Sequence, residues 1–339
     1  MKISTGVPLG MDPISAADYA VDLERAGVDT FWVPEGYGFD SPTLMGYIAA
    51  KTSRIEIGSA IMNIYSRVPT LLAGTAAGLD AVSDGRAILG IGASGPQVIE
   101  GWFGVPYDKP LARTREVIDI CRRAWRREVI TNDGVFQIPV PEGKGTGLGK
   151  PLKMVNRPQR ADIPIYVAAL GEKNVQLAAE LADGWMPHLF LPEKATEIWG
   201  PSLAAGHAKR ELGPLEVCAG GLLAIGEDQD GMLDLVANMV ALYVGGMGAR
   251  GRNFYNTLFQ RYGYEAEAQL IQDLYLAGNK DEAAAAVPRE FLRQTNLVGP
   301  AGYVRERVAA FQEAGVTNLL VATFGDATGQ ISQLREFIG

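Results

Sequence analysis

The chain has 339 residues, 31 basic and 39 acidic, for a formal charge of −8 and a pI near 5.0, with 47% apolar residues. A net negative charge argues against a nucleic-acid or anionic-membrane surface, and no stretch approaches the roughly 20 apolar residues of a membrane span. Two cysteines, Cys121 and Cys218, are too few for a disulfide framework or a cysteine zinc cluster.

The N-terminus enters a strand-like run at residues 3–7 without the basic start and apolar core of a signal peptide, so the expected location is cytoplasmic. Three further β-rich runs, 30–34, 55–61 and 87–91, alternate with segments of helical period at 13–26, 41–51 and 69–82. Crossovers this short place parallel strands side by side. Gly27 and Gly85 stand just past predicted helix ends, where a left-handed residue turns the chain into the next strand.

A Gly/Pro/Lys-rich stretch at 139–158 interrupts the pattern and marks an insertion of about 130–160. The alternation resumes with strands at 163–169, 184–189, 217–225 and 318–323 and helices at 171–182, 194–212, on to 244, and 301–314. Eight strands predict a (β/α)8 TIM barrel in one domain, α/β in class, with its largest insertion, 245–299, between strands seven and eight. An open doubly wound sheet has the same strand count and stands as the alternative.

Gly90-Ile-Gly92-Ala-Ser-Gly95 matches the dinucleotide pattern G-x-G-x-x-G. It follows the fourth strand, however, and runs at once into Pro96 rather than into one long helix. In a barrel these glycines lie at the C-terminal mouth, where small residues let a flat ring approach the backbone; a plain surface turn is the remaining reading.

Several phrases occur in a specific order: Phe31-Trp-Val-Pro-Glu35, Ile57-Gly-Ser-Ala-Ile-Met-Asn63, Ser83-Asp-Gly-Arg86, Leu89-Gly-Ile-Gly92, Ala168-Ala-Leu-Gly-Glu-Lys-Asn174 and Ala182-Asp-Gly-Trp185. Together they resemble the bacterial luciferase-like superfamily, in particular its branch dependent on the deazaflavin coenzyme F420, which is similar to methylenetetrahydromethanopterin reductase. The resemblance implies an F420-dependent oxidoreductase that exchanges a hydride with a small organic substrate and assembles as a homodimer or higher homo-oligomer. It implies a non-prolyl cis peptide between Ala60 and Ile61 that backs the ring. It also places Gly90, Gly92 and Ala93 against the ring, and Ala169, Leu170, Gly171, Glu172 and Asn174 around the cofactor's phosphodiester at a helix start. Asn63 is either a hydrogen-bond donor to the pyrimidine edge or a turn-former, and Trp185 is either a cofactor contact or a core aromatic.

The chain departs from the sugar-phosphate dehydrogenases of this branch. Glu35-Gly36 replaces their Asp-His pair, and Gly95 replaces their acidic residue after the strand-four glycines. Glu35 and His188 are the candidate catalytic residues, Glu35 as general acid, as a ligand of the deazaflavin hydroxyl, or as a helix cap. His188 is favoured over His207 because it follows strand six at the barrel mouth. No metal is expected, since neither histidine has a ligand partner at metal spacing. The run Gly245-Gly-Met-Gly-Ala-Arg250-Gly-Arg252 suggests a flexible lid whose arginines clamp an anionic tail. The alternatives are an FMN-dependent luciferase-like monooxygenase, a nicotinamide enzyme, and a non-catalytic flavin-binding relative.

Overall fold

Proline and aspartate set where the first helices begin. Pro13, Pro42 and Pro69 occupy the first two positions of helices Pro13–Arg25, Ser41–Lys51 and Pro69–Val82, where a missing N–H costs nothing. Asp12 accepts from the N–H groups of Ile14 and Ser15, and Asp40 from that of Thr43, so orphan donors of the first turn are satisfied. Gly27 and Gly85, at φ 91° and 79°, then turn the chain back.

The computed structural model describes residues 1–8 and 10–338. The barrel strands are β1 (Lys2–Gly6), β2 (Thr30–Val33), β3 (Glu56–Ser59), β4 (Ala87–Gly92), β5 (Ile165–Ala168), β6 (Gly184–Met186), β7 (Glu216–Ala219) and β8 (Asn318–Leu320). Each pairs in parallel with its neighbours in chain order, and β1 pairs with β8 in the register Lys2↔Asn318, so the ring closes. The fold is a TIM barrel, and closure removes the open-sheet alternative. No helix of the described residues is long and apolar enough to cross a membrane.

Three strands predicted as continuous are broken. β3 stops at Ser59, and Met62–Asn63 resumes the pairing, opposite Ile91 and Gly92 of β4; the Ala60–Ile61 peptide between them is cis. β7 ends at Gly220-Gly221, where backbone passes so closely that a Cβ would meet Leu320 O at 2.2 Å and Thr295 O at 2.3 Å. Beyond the break, Leu222–Ile225 leaves the ring and pairs with Leu297–Gly299 and with Ala322–Thr323, the continuation of β8. The apolar run conceals this change of sheet.

The insertion after helix Pro110–Trp125 contains a short hairpin, Asn132–Asp133 with Gln137–Ile138. Glu116 holds its turn by accepting from Val135 N, Phe136 N and Asn132 Nδ2. Between β7 and β8, residues 254–295 form four helices: Phe254–Arg261, Glu265–Leu276, Lys280–Ala285 and Arg289–Thr295.

Large and small side chains alternate inside the ring. Trp32, Ile88, Tyr166, Met186 and Cys218 pack together there. Gly58 and Gly184 make room for the two largest, because a Cβ would stand 2.1 Å from the Trp32 ring and 2.3 Å from that of Tyr166. The N-terminal pole is closed by polar groups. Lys2 Nζ lies 3.2 Å from carboxylates of both Glu56 and Glu216, Thr30 donates to Glu56, and Tyr166 donates to Glu216 at 2.5 Å.

At the opposite pole β3 and β4 touch through backbone. Ser59 Oγ donates to Gly90 O at 2.8 Å and accepts from Gly90 N at 3.0 Å, and a Cβ on residue 90 would fall 1.8 Å from Ser59 O. Gly90→Ala is therefore expected to destabilise the protein by about 1–3 kcal/mol or more, the cost of overpacking against an unyielding neighbour. Gly95→Ala, with open space around it, serves as the control. Urea unfolding midpoints check both.

Candidate functional site

Parallel closure gathers the C-terminal ends of all eight strands at one mouth. Ala60, Ile61, Ala168 and Leu320 lie over the interior cluster. Gly92 lets two of them meet, since a Cβ there would stand 3.0 Å from Ile61 Cδ1 and 3.4 Å from Ala168 Cβ. With Gly90 beside it, this is a floor of backbone and small side chains. Ala93 is half-buried at its edge, and Ser94 follows at φ 56°.

Asn63 closes the rim beside β3. Its Oδ1 accepts from Tyr65 N at 3.1 Å and Ser66 N at 2.7 Å, so the turn-forming role is present in the structure. Its Nδ2 has no protein acceptor among the described residues and is not sealed from the mouth.

The segment after β5 is pinned from behind. Trp185 Nε1 donates to Ala169 O at 2.9 Å and Trp199 Nε1 to Leu170 O at 3.3 Å. The Trp185 ring is buried against Phe190 and Trp199, so it is a core aromatic supporting the loop from outside the barrel. Gly171 then starts helix Glu172–Leu181 with no side-chain cap, which leaves first-turn N–H groups free. Asn174 contributes an unpartnered Oδ1, and Glu172 lies 3.4 Å from Arg261.

Glu35 is fully engaged. Arg67 grips its carboxylate with both guanidinium ends, Nη1 to Oε1 and Nη2 to Oε2 at 2.8 Å, and Ser41 donates to Oε2 from N at 2.9 Å and Oγ at 3.1 Å. The side chains are 5% and 16% exposed. Its ring-facing or acid roles would require breaking this pair, whereas the helix-capping reading fits the geometry: it ties the loop after β2 to the one after β3.

His188, two residues beyond β6, packs its ring on Tyr243 at 4.2 Å and Tyr255 at 5.6 Å, and the tyrosine rings are 4.7 Å apart. Its Nε2 is sealed without a partner. Burial with no charge alongside pushes the imidazole down to about 4. Sequence reasoning missed Tyr243, which sits in an apolar helical run with no motif to mark it.

The glycine-rich run that suggested a lid is instead a packed turn. Leu242–Gly246 is one π-helical turn, and a Cβ on Gly245 or Gly246 would come 2.5 Å from the Tyr275 side chain. Arg250 pairs with Asp273 on the outside, and Arg252 is exposed. Among the described residues no group of three or more His, Cys, Asp or Glu side chains could hold a metal.

The family description "luciferase-like monooxygenase" matches residues 3–318 of this chain. The chain belongs to that family. A Mycobacterium tuberculosis protein, named provisionally a coenzyme F420-dependent oxidoreductase, is 40% identical over 320 residues, covering 93% of this chain and 92% of its own. The 5,10-methylenetetrahydromethanopterin reductase of Archaeoglobus fulgidus is 29% identical, covering 90% of this chain and 89% of its own. In fold, the family member is similar to the coenzyme F420 dependent tetrahydromethanopterin reductase of Methanopyrus kandleri, with a TM-score of 0.80, 23% identity, and coverage of 98% and 97%.

Two predictions test this geometry. Glu35→Ala leaves the Arg67 guanidinium buried and unpaired, so stability is expected to fall by about 3–5 kcal/mol in chemical denaturation. His188 titrates near 6.5 when unfolded and near 4 when folded, so between those values only the unfolded chain takes up its proton. Stability is therefore expected to decline as pH falls from about 6.5 toward 4, and His188→Asn removes that share of the decline in melting temperature measured against pH.

Proposed function

We propose that this protein is a coenzyme F420-dependent oxidoreductase that transfers a hydride between the deazaflavin and a small organic substrate. The observation that carries the reading is the flat floor at the mouth. Gly92 keeps this floor free of a side chain that would crowd Ile61 and Ala168, and the residues around it offer backbone and apolar surface suited to a planar ring. The names of the family's F420 relatives support the same reading. When bound, the deazaflavin supplies a two-electron hydride carrier.

The chain's own residues supply binding and orientation. Ala60, Ile61, Gly90, Gly92 and Ala93 form the surface against which the ring would rest, and Asn63 Nδ2 is the donor available to its pyrimidine edge. Ala169 through Asn174 would receive the phosphodiester, since free N–H groups and the positive end of a ten-residue helix favour an anion. Glu35 acts as a positioning residue through Arg67 rather than as an acid. His188, buried beyond β6, stays neutral at ordinary pH.

Quenching of intrinsic fluorescence by oxidised F420 and by FMN, titrated in parallel, tests the proposal. Tighter binding of F420 is expected, and a preference for FMN would replace this reading with the monooxygenase one. Binding of F420 with no turnover across a broad substrate panel would favour a non-catalytic relative. Asn63→Asp keeps the turn acceptor but removes the donor. It is expected to weaken F420 about fivefold, one hydrogen bond's worth, with little change in melting temperature.

A further inference from the structure

We propose that Ser59 is a positioning residue: its hydroxyl takes the place of the β3–β4 ladder across a one-residue bulge and so holds Ala60 and Ile61 at the level where a planar ring would rest. The proposal rests on the F420 reading above and deepens it.

The bulge follows from the register. Gly58 stands opposite Ile88 and Met62 opposite Ile91, so β3 and its continuation advance four residues while β4 advances three. Ser59, Ala60 and Ile61 are thus matched by Leu89 and Gly90 alone. An extra residue of this kind bends its strand and re-aims the side chains it carries. Of residues 57–65, only Ala60 and Ile61 are partly exposed, while Ser59 and Met62 on either side of them are buried. The two pack over the cluster that includes Trp32, Ile88 and Tyr166, and Ile61 is seated close to Gly92, where a Cβ would stand 3.0 Å from its Cδ1.

The bulge opens a gap in the ladder, and Gly90 stands in it. Successive residues of a parallel strand turn their N–H and C=O groups to opposite neighbours. Leu89 faces β5, where its N–H donates to Pro164 O at 2.9 Å. Gly90 faces β3. Where a regular ladder would bring a β3 carbonyl to the Gly90 N–H, the partner is Ser59 Oγ at 3.0 Å, and the same Oγ donates to Gly90 O at 2.8 Å. One hydroxyl thus bridges the gap as acceptor and donor at once, which a short aliphatic side chain cannot do. On its other side the bulge is held by main chain, Ala60 N donating to Val33 O of β2 at 2.8 Å.

Ser59 and Gly90 are both buried, and a buried N–H left without a partner is costly. With the hydroxyl removed, the Gly90 N–H regains a partner when β3 slides by one residue and the regular ladder closes. That slide flattens the bulge and withdraws Ala60 and Ile61 from the mouth. The hydroxyl never needs to touch a ligand to act on one.

The variants Ser59→Thr and Ser59→Val separate the hydroxyl from packing, because their side chains share one shape. Two quantities are read on each: F420 affinity by fluorescence quenching, and amide exchange at Gly90 and Leu89 by NMR without cofactor. Ser59→Val is expected to bind F420 about tenfold more weakly than Ser59→Thr and to exchange the Gly90 amide about tenfold faster relative to Leu89, the worth of one to two hydrogen bonds. Should the added methyl prevent folding, Ser59→Ala against the parent carries the same comparison. Equal F420 affinities with and without the hydroxyl would overturn the proposal, as would an unchanged ratio of Gly90 to Leu89 exchange. If the parent protein binds no F420, the cofactor reading falls by itself. The exchange ratio then decides the hydroxyl's role: a raised ratio in the Val variant supports it and an unchanged one overturns it.

Discussion

Closure of eight parallel strands into one ring is the constraint from which the remaining features follow. Once β1 bonds to both β2 and β8, no strand has a free edge, and every loop after a strand emerges at the same pole. The ring's lumen must then be filled from within. Trp32 and Tyr166 do this only because Gly58 and Gly184 yield the space. Above them the side chains become small, and the backbone of β3 and β4 itself becomes surface. A flat floor is thus a by-product of how a narrow barrel is packed.

Polar groups divide into two populations around this mouth. Glu35, the Asn63 carbonyl, Asn253 and the indoles of Trp185 and Trp199 are partnered, and all but Asn63, whose bonds stay within its own turn, hold separate segments together. The His188 imidazole Nε2 and the Asn174 Oδ1 are buried without a partner, as are Trp32 Nε1, Gln272 Nε2 and the Asn318 amide elsewhere in the fold. Buried polar groups in folded proteins are ordinarily satisfied, because an unmade hydrogen bond costs about 1–3 kcal/mol.

Much of the architecture was legible in the sequence because local signals carried it. Helices Ser41–Lys51 and Pro69–Val82 lie where periodicity and N-terminal proline put them, and strand spacing predicted the ring and its large insertion before β8. The breaks within strands three, seven and eight were not legible. Apolar runs continue through Ala60-Ile61, Gly220-Gly221 and Val321, and the interruption arises from backbone approaching backbone across the ring. His188 follows β6, where its position in the sequence put it. The partner that occupies Glu35 lies 32 residues away, and Tyr243 resembles any residue of an amphipathic helix, so neither relation has a one-dimensional signature.

The two walls of the mouth are built from different materials, and this shapes how the protein can change. The floor is set by glycines and strand backbone, where an atom added at Gly90 collides with the Ser59 carbonyl and one added at Gly92 crowds Ile61 and Ala168. The aromatic pair Tyr243 and Tyr255 is set by side chains on segments between β7 and β8, held by amides that tie these segments to one another rather than to the ring. Exchanging a ring in that wall alters its surface while leaving β3, β4 and β5 untouched. The two walls are therefore mechanically separable in this barrel, the first rigid by closure and the second adjustable by replacement of single side chains.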